Sequence, residues 1–183
     1  GVAVTTYSGT QKIYTDSVNA TTFRLRQTVL GLGVETYNLQ KSTSYSSTDF
    51  TDADNNWNNV NANKDEVATV AHFGAEQTYL YYYNRYGRKS YDNNNTKLRS
   101  YVHYSNNYDN AFWDGQRMTY GDGNQFKPLT CIDVAAHEMS HGVTGNSSNL
   151  VYNGESGALN ESFSDIFGTC VEFMVRPSTG NYI

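Results

Sequence analysis

No stretch of this chain approaches the ~20 consecutive apolar residues that cross a bilayer as a helix. Its first residues, Gly1-Val2-Ala3-Val4, lack the basic segment and long apolar segment of an export signal. Such a chain is expected to be soluble, with any signal already removed. Cysteine is nearly absent: two residues allow one disulfide at most, which excludes a small disulfide-stapled scaffold. Charge is scarce too, at 17% of residues, and lysine and arginine form no run. With a net charge of -5 and a pI near 5.2, the chain offers no electrostatic footprint for nucleic acid or an anionic membrane. Neither is an expected partner.

What is plentiful is Tyr, Asn, Ser, Thr and Gly, so polarity comes from neutral hydrogen-bonding groups, a balance that suits a secreted protein. A length of 183 residues suffices for one domain or for one lobe of a larger enzyme. Four Asn-x-Ser/Thr sequons, at Asn19, Asn94, Asn146 and Asn160, are no more than this composition gives by chance.

Along residues 1 to about 60, short runs such as Phe23-Arg24-Leu25-Arg26 and Val34-Glu35-Thr36-Tyr37 alternate with Gly, Asn, Asp and Ser clusters, which predicts antiparallel strands and turns. From Lys64 to Arg85 the period becomes helical, with Val67, Val70, Ala71, Ala75, Thr78 and Tyr82 on one stripe. Asn63 with Glu66 reads as a capping box and Gly87 as a C-terminal stop. Leu98–Tyr104 alternates as a strand, and Asp109–Tyr120 reads as another strand or a hairpin.

Two helices are expected next, from about Ile132 to Val143 and from about Ala158 to Val175. The second has Leu159, Phe163, Ile166, Phe167, Cys170, Val171 and Met174 as its apolar side. The fold class is therefore α+β: a β-rich part over 1–125 with one long helix, then two antiparallel helices over about 132–175. The ending, Arg176 to Ile183, has no tail character and reads as a cut in a longer polypeptide.

His137-Glu138-Met139-Ser140-His141 puts two imidazoles four residues apart, on one helix face within reach of one ion. Glu138 is rotated about 100° from His137 and is free to act as a base on metal-bound water. Helical histidines at this spacing also occur as ordinary surface residues, so a third ligand decides. Glu161 supplies it, with Asp165 four residues on to accept the free ring N–H of a ligating histidine.

In antiparallel helices, the numbers of facing residues add to a nearly constant total, 302 for His141 with Glu161. Cys131 with Cys170 and Asp133 with Glu172 fall within three of it. This predicts a Cys131–Cys170 disulfide, the alternative being two independent buried thiols. It also predicts an Asp133–Glu172 pair needing a cation, for which calcium is the natural choice.

The runs His137-Glu138-Met139-Ser140-His141-Gly142-Val143-Thr144 and Glu155 to Gly168 closely resemble the thermolysin family of secreted zinc metalloendopeptidases. Asn110-Ala111-Phe112-Trp113-Asp114-Gly115 and Tyr120-Gly121-Asp122-Gly123 are similar to its edge-strand and loop motifs. The resemblance covers about Thr51 to Glu172. It implies zinc held by His137, His141 and Glu161, Glu138 as general base, Asp165 behind a ligating histidine, and Tyr152 at the oxyanion. Asn110 and Ala111 would bind substrate backbone, and Asp133 and Glu172 would belong to a calcium site. Without it, Tyr152 reads as a packing aromatic and Asn110 as a turn residue.

Phe126, Leu129 and Val134 are expected to wall a pocket for a bulky apolar residue after the cut. The family's mostly helical C-terminal lobe, with its oxyanion-assisting histidine and substrate-binding arginine, is absent from this chain and is the expected partner, besides protein or peptide substrates. His72 and His103, the remaining histidines, fit neither missing role; His72 reads as structural. Two other readings stay open: a zinc-binding half-enzyme that binds peptides without useful turnover, and a structural domain with a chance motif.

Overall fold

The computed structural model describes residues 1–58, 60 and 65–176. Among these, the strands are β1 (Val2–Thr5), β2 (Gly9–Lys12), β3 (Asp16–Asn19), β4 (Thr22–Arg24), β5 (Arg26–Gln27), β6 (Val34–Asn38), β7 (Thr51–Asp52), β8 (Asn56–Trp57), β9 (Leu98–Val102), β10 (Ala111–Trp113) and β11 (Met118–Tyr120). The helices are α1 (Glu66–Tyr86), α2 (Ile132–Gly145) and α3 (Gly154–Val175). The expected class, α+β with β-rich and then helical segments, holds.

The main sheet has the order β10-β11-β9-β6-β5, leaving β10 at a free edge. Two three-stranded sheets, β2-β1-β8 and β3-β4-β7, complete the β part. Antiparallel pairing prevails, but β6 with β9, β9 with β11 and β1 with β8 run parallel. Those pairs join segments distant in sequence, so no turn signal announces them. The hairpin expected within 109–120 forms as β10 and β11, with Ala111 opposite Tyr120.

Helix α1 lies inside the molecule rather than on it. Its predicted stripe is buried, and so are the polar His72 and Glu76, at 0% exposure each. Burial is tolerable because both His72 ring nitrogens and Glu76 Oε1 find partners, leaving only Glu76 Oε2 without a hydrogen bond. His72 Nδ1 meets Thr36 Oγ1 at 2.9 Å, His72 Nε2 meets the Tyr14 carbonyl at 2.8 Å, and Tyr14 N–H donates to Glu76 at 3.0 Å. His72 is thus the structural residue expected. Gly87 caps α1 in the left-handed region, φ 64°, its N–H bonded to the Tyr82 and Tyr83 carbonyls. At the other end Asp65 is the N-cap with no side-chain cap bond, and Asn63 lies outside the described residues.

Helix α2 buries Ile132, Ala135, Ala136 and Met139 against α1 and the sheet. Helix α3 begins four residues before the expected start, at Gly154. Of its expected apolar side, Val171 is buried and Phe167, Cys170 and Met174 pack against the core, while its N-terminal half buries another face. The buried stripe is Gly157, Asn160, Ser164, Gly168 and Val171, small or polar residues that let α3 approach α2 closely. Leu159, Phe163 and Ile166 instead stand 50%, 42% and 52% exposed. Among the described residues no helix is long and apolar enough to cross a membrane.

The expected disulfide is not formed: Cys131 and Cys170 are free, half-buried thiols. The Cys170 thiol lies beside the Tyr81 hydroxyl on α1, and the Cys131 thiol beside Asp133. Burial first, then the Asp133 carboxylate, pushes the Cys131 thiol up to about 12, away from the thiolate that oxidation requires. The antiparallel number rule places residues opposite one another along two helices. It does not say which way their side chains turn.

Candidate metal centre

His137 and His141 sit one turn apart on α2 and turn their rings to each other edge-on, centroids 4.7 Å apart. Each Nδ1 is engaged from α3. His137 Nδ1 donates to Asp165 Oδ1 at 2.8 Å, and His141 Nδ1 donates to Asn160 Oδ1 at 2.6 Å with Ser164 Oγ at 3.1 Å. The Asn160 amide is oriented by its own Nδ2, which donates to the Leu150 carbonyl at 3.2 Å. With protons held on Nδ1, both Nε2 atoms carry lone pairs, and these face each other at 3.0 Å. Glu161 adds carboxylate oxygens 3.2 Å from His137 Nε2 and 3.6 Å from His141 Nε2. Two imidazole nitrogens and a carboxylate aimed at one point make a natural seat for a cation. Imidazole and carboxylate donors suit zinc, so the residues present fit the metal.

Glu138, on the same helix, is turned toward the sheet and is 7% exposed. Its side chain joins the two histidines in a candidate ligand group with donor atoms within 4.8 Å of one another, the one such group of three found among the described residues. Burial first, then the neighbouring Glu161 charge, pushes its carboxyl up to about 7, against a Trp113 backbone N–H that favours the charged form. Tyr152, 67% exposed in the turn before α3, stacks edge-on 5.9 Å from the His141 ring, and its hydroxyl donates to Glu161.

Beside these groups opens a cleft of about 510 Å³, lined by Asn110, Ala111, Leu129, Asp133, Val134, His137, Glu138, Asp165, Gly168 and Thr169. The cleft therefore runs between the β10 edge and the two helices. Phe126 does not line it and stands 62% exposed.

Asp133 and Glu172 do not form a calcium cage by themselves. Glu172 accepts from Arg176 of its own helix at 3.1 Å, and two carboxylates fall short of the ~6–8 oxygens calcium takes. Sequence reasoning missed Asn160 and Ser164 as partners of His141. A signal existed: Asn160 and Ser164 lie four apart on α3 like Glu161 and Asp165, one residue round the helix.

Residues 1–145 match the family model for the thermolysin metallopeptidase catalytic domain, and residues 148–182 match the one for its alpha-helical domain. The histidines and Glu138 thus fall in the first match and Glu161 in the second. The chain is 46% identical over 167 residues to a bacillolysin of Brevibacillus brevis, covering 90% of this chain and 31% of that protein. It is likewise 46% identical over 188 residues to a transglutaminase-activating metalloprotease of Streptomyces mobaraensis, covering 100% of this chain and 24% of that protein. Among solved structures it is similar to the precursor of protealysin, a metalloproteinase from Serratia proteamaculans. That match has a TM-score of 0.67 and 35% identity, over 77% of this chain and 43% of the other. The chain thus spans a quarter to a third of the two curated relatives' lengths. Two histidines and a carboxylate converging from adjoining helices, matched over nearly the whole sequence, place the chain in the thermolysin family of metallopeptidases.

Proposed function

We propose that this chain is the catalytic, N-terminal part of a zinc-dependent endopeptidase that hydrolyses internal peptide bonds, with a preference for bulky apolar residues after the cut. The observation that carries this reading is the meeting of the His137 and His141 Nε2 atoms and the Glu161 carboxylate beside a cleft open to a free strand edge. His137, His141 and Glu161 would hold the zinc. When bound, zinc supplies a Lewis acid for the scissile carbonyl and lowers the pKa of water toward neutrality.

The chain's own residues do the rest. An extended peptide adds to the free edge of β10, where Asn110 and Ala111 hydrogen-bond its backbone. Glu138, buried beside the two histidines, takes the proton of the attacking water and returns it to the leaving amine. Tyr152 donates to the developing oxyanion from the exposed rim. Leu129 and Val134 supply the apolar wall of the pocket for the residue after the cut. Asp165 and Asn160 keep both imidazoles in the tautomer that ligates.

Secretion, and a helical C-terminal lobe seated on the exposed apolar face of α3, belong to the same proposal. A calcium ion at Asp133 and Glu172 would draw its remaining oxygens from elsewhere. It would show as a calcium-dependent rise in melting temperature that Glu172→Gln abolishes.

The competing reading, a half-enzyme that binds zinc and peptide without useful turnover, draws on the exposure of Leu159, Phe163 and Ile166. Casein cleavage by the 183-residue chain, with zinc and after chelation, separates the two. Zinc-dependent cleavage supports the protease, and zinc binding with no cleavage the half-enzyme.

A further inference from the structure

Asp109 stands one residue before Asn110 and takes no part in the metal centre. Its carboxylate accepts from three consecutive backbone N–H groups: Asn124 at 2.5 Å, Gln125 at 3.0 and 3.1 Å, and Phe126 at 3.1 Å. Successive amides converging on one anion form a nest. The loop can fold this tightly because Gly123 adopts φ 74°, and a β-carbon there would lie 2.1 Å from the Phe126 carbonyl oxygen. Backbone bonds extend the seam, from Gly123 N–H to the Tyr108 carbonyl at 3.1 Å and from Gly121 N–H to the Asn110 carbonyl at 3.0 Å. Farther along, the Tyr7 hydroxyl donates to the Pro128 carbonyl at 2.8 Å. Residues 121–128 are thereby fastened at both ends, and the fastened segment joins the strand carrying Asn110 and Ala111 to the stretch carrying Phe126 and Leu129.

We propose that Asp109 is a positioning residue for extended peptide substrates, locking the 123–126 loop against the strand edge so that Asn110 holds a fixed place along the cleft. This rests on the peptide-hydrolase reading of that cleft. Removing the carboxylate leaves three parallel N–H dipoles without their anion, and the loop then exchanges its internal bonds for water. Three of the four bonds go to Oδ1. An asparagine keeps that acceptor, so Asp109→Asn preserves the lock that Asp109→Ala destroys.

The test uses the zinc-loaded chain carrying Glu138→Gln, which does not consume its ligand, and a fluorescent extended oligopeptide with an apolar centre. Asp109→Ala is expected to speed hydrogen exchange of the 124–126 amides about tenfold. It is also expected to raise the peptide Kd about fivefold at unchanged zinc content. Asp109→Asn is expected to recover at least half of both effects. An unchanged Kd in Asp109→Ala, or an Asp109→Asn variant as weak as Asp109→Ala, overturns the assignment. Casein cleavage by the unsubstituted chain tests the parent reading separately. Cleavage with an unaltered Asp109→Ala Kd removes only the role of Asp109, whereas no peptide binding to the Glu138→Gln chain removes both.

Discussion

Gly168 on α3 lies so close to Asp133 on α2 that a β-carbon at this glycine would sit 2.7 Å from the Asp133 carbonyl oxygen and 3.5 Å from the His137 β-carbon. The spacing of the two helices, and so the distance from Glu161 to the histidines, depends on a missing methyl group. An alanine would gain roughly 1 kcal/mol of helix propensity. It would meet a backbone oxygen that has no rotamer to escape into, and overpacking of that kind costs about 1–3 kcal/mol. We expect Gly168→Ala to lower the melting temperature and weaken zinc binding together. A melting temperature equal to or above that of the unsubstituted chain would show that the helices part freely.

Glu138→Gln should leave zinc stoichiometry intact, because neither histidine nor Glu161 changes. It should lower the rate of casein hydrolysis by about 10²–10⁴-fold, the usual contribution of a positioned general base. Metal analysis alongside the rate assay checks both halves. A variant that holds zinc and cleaves at the original rate would remove Glu138 from the chemistry.

Asp165 is exposed on its outer side and touches the metal site through His137 Nδ1 at 2.8 Å. Its loss should leave the fold unchanged by circular dichroism. Zinc affinity should fall by about 10–100-fold, because the imidazole loses its orientation and its fixed tautomer. Competition against a chelator of known affinity measures this directly.

Acid should destabilise the β part through Glu35. Burial taken alone would raise its carboxyl. Hydrogen bonds from Lys97 at 2.6 Å and Tyr37 at 2.7 Å, with the Lys97 and Arg26 charges, outweigh burial and set it below the usual 4.5. A folded-state pKa below the unfolded one gives stability that is present above the unfolded value and lost as pH falls through the folded value. Urea midpoints should therefore drop on acidification from roughly pH 5 to 3, and Glu35→Gln should flatten that drop. A slope identical in both proteins would refute this.

Much of the site was legible because its information is local. A four-residue spacing on a helix brings His137 and His141 together whatever surrounds them, and the same spacing aligns Glu161 with Asp165. The C-cap at Gly87 and the hairpin of β10 and β11 are likewise short-range consequences of backbone preference and alternation. Leu159, Phe163 and Ile166 of α3 misled for the opposite reason, whereas Phe167, Cys170, Val171 and Met174 pack against the core as expected. Hydrophobicity says a face wants cover, while steric fit decided that the small residues of α3 meet α2 and that Leu159, Phe163 and Ile166 face outward in this chain.

The sequence by itself determined the candidate metal-binding side chains and the α+β division of the chain, since both follow from periodicities along its individual elements. Only the tertiary structure decided that Asn160 holds His141, that Cys131 and Cys170 turn to different partners, that three strand pairs run parallel, and that Asp109 gathers the amides of a loop fifteen residues away. Each of these depends on the direction of a side chain or strand relative to a distant segment, and that direction is fixed by packing and hydrogen-bond satisfaction across the whole core.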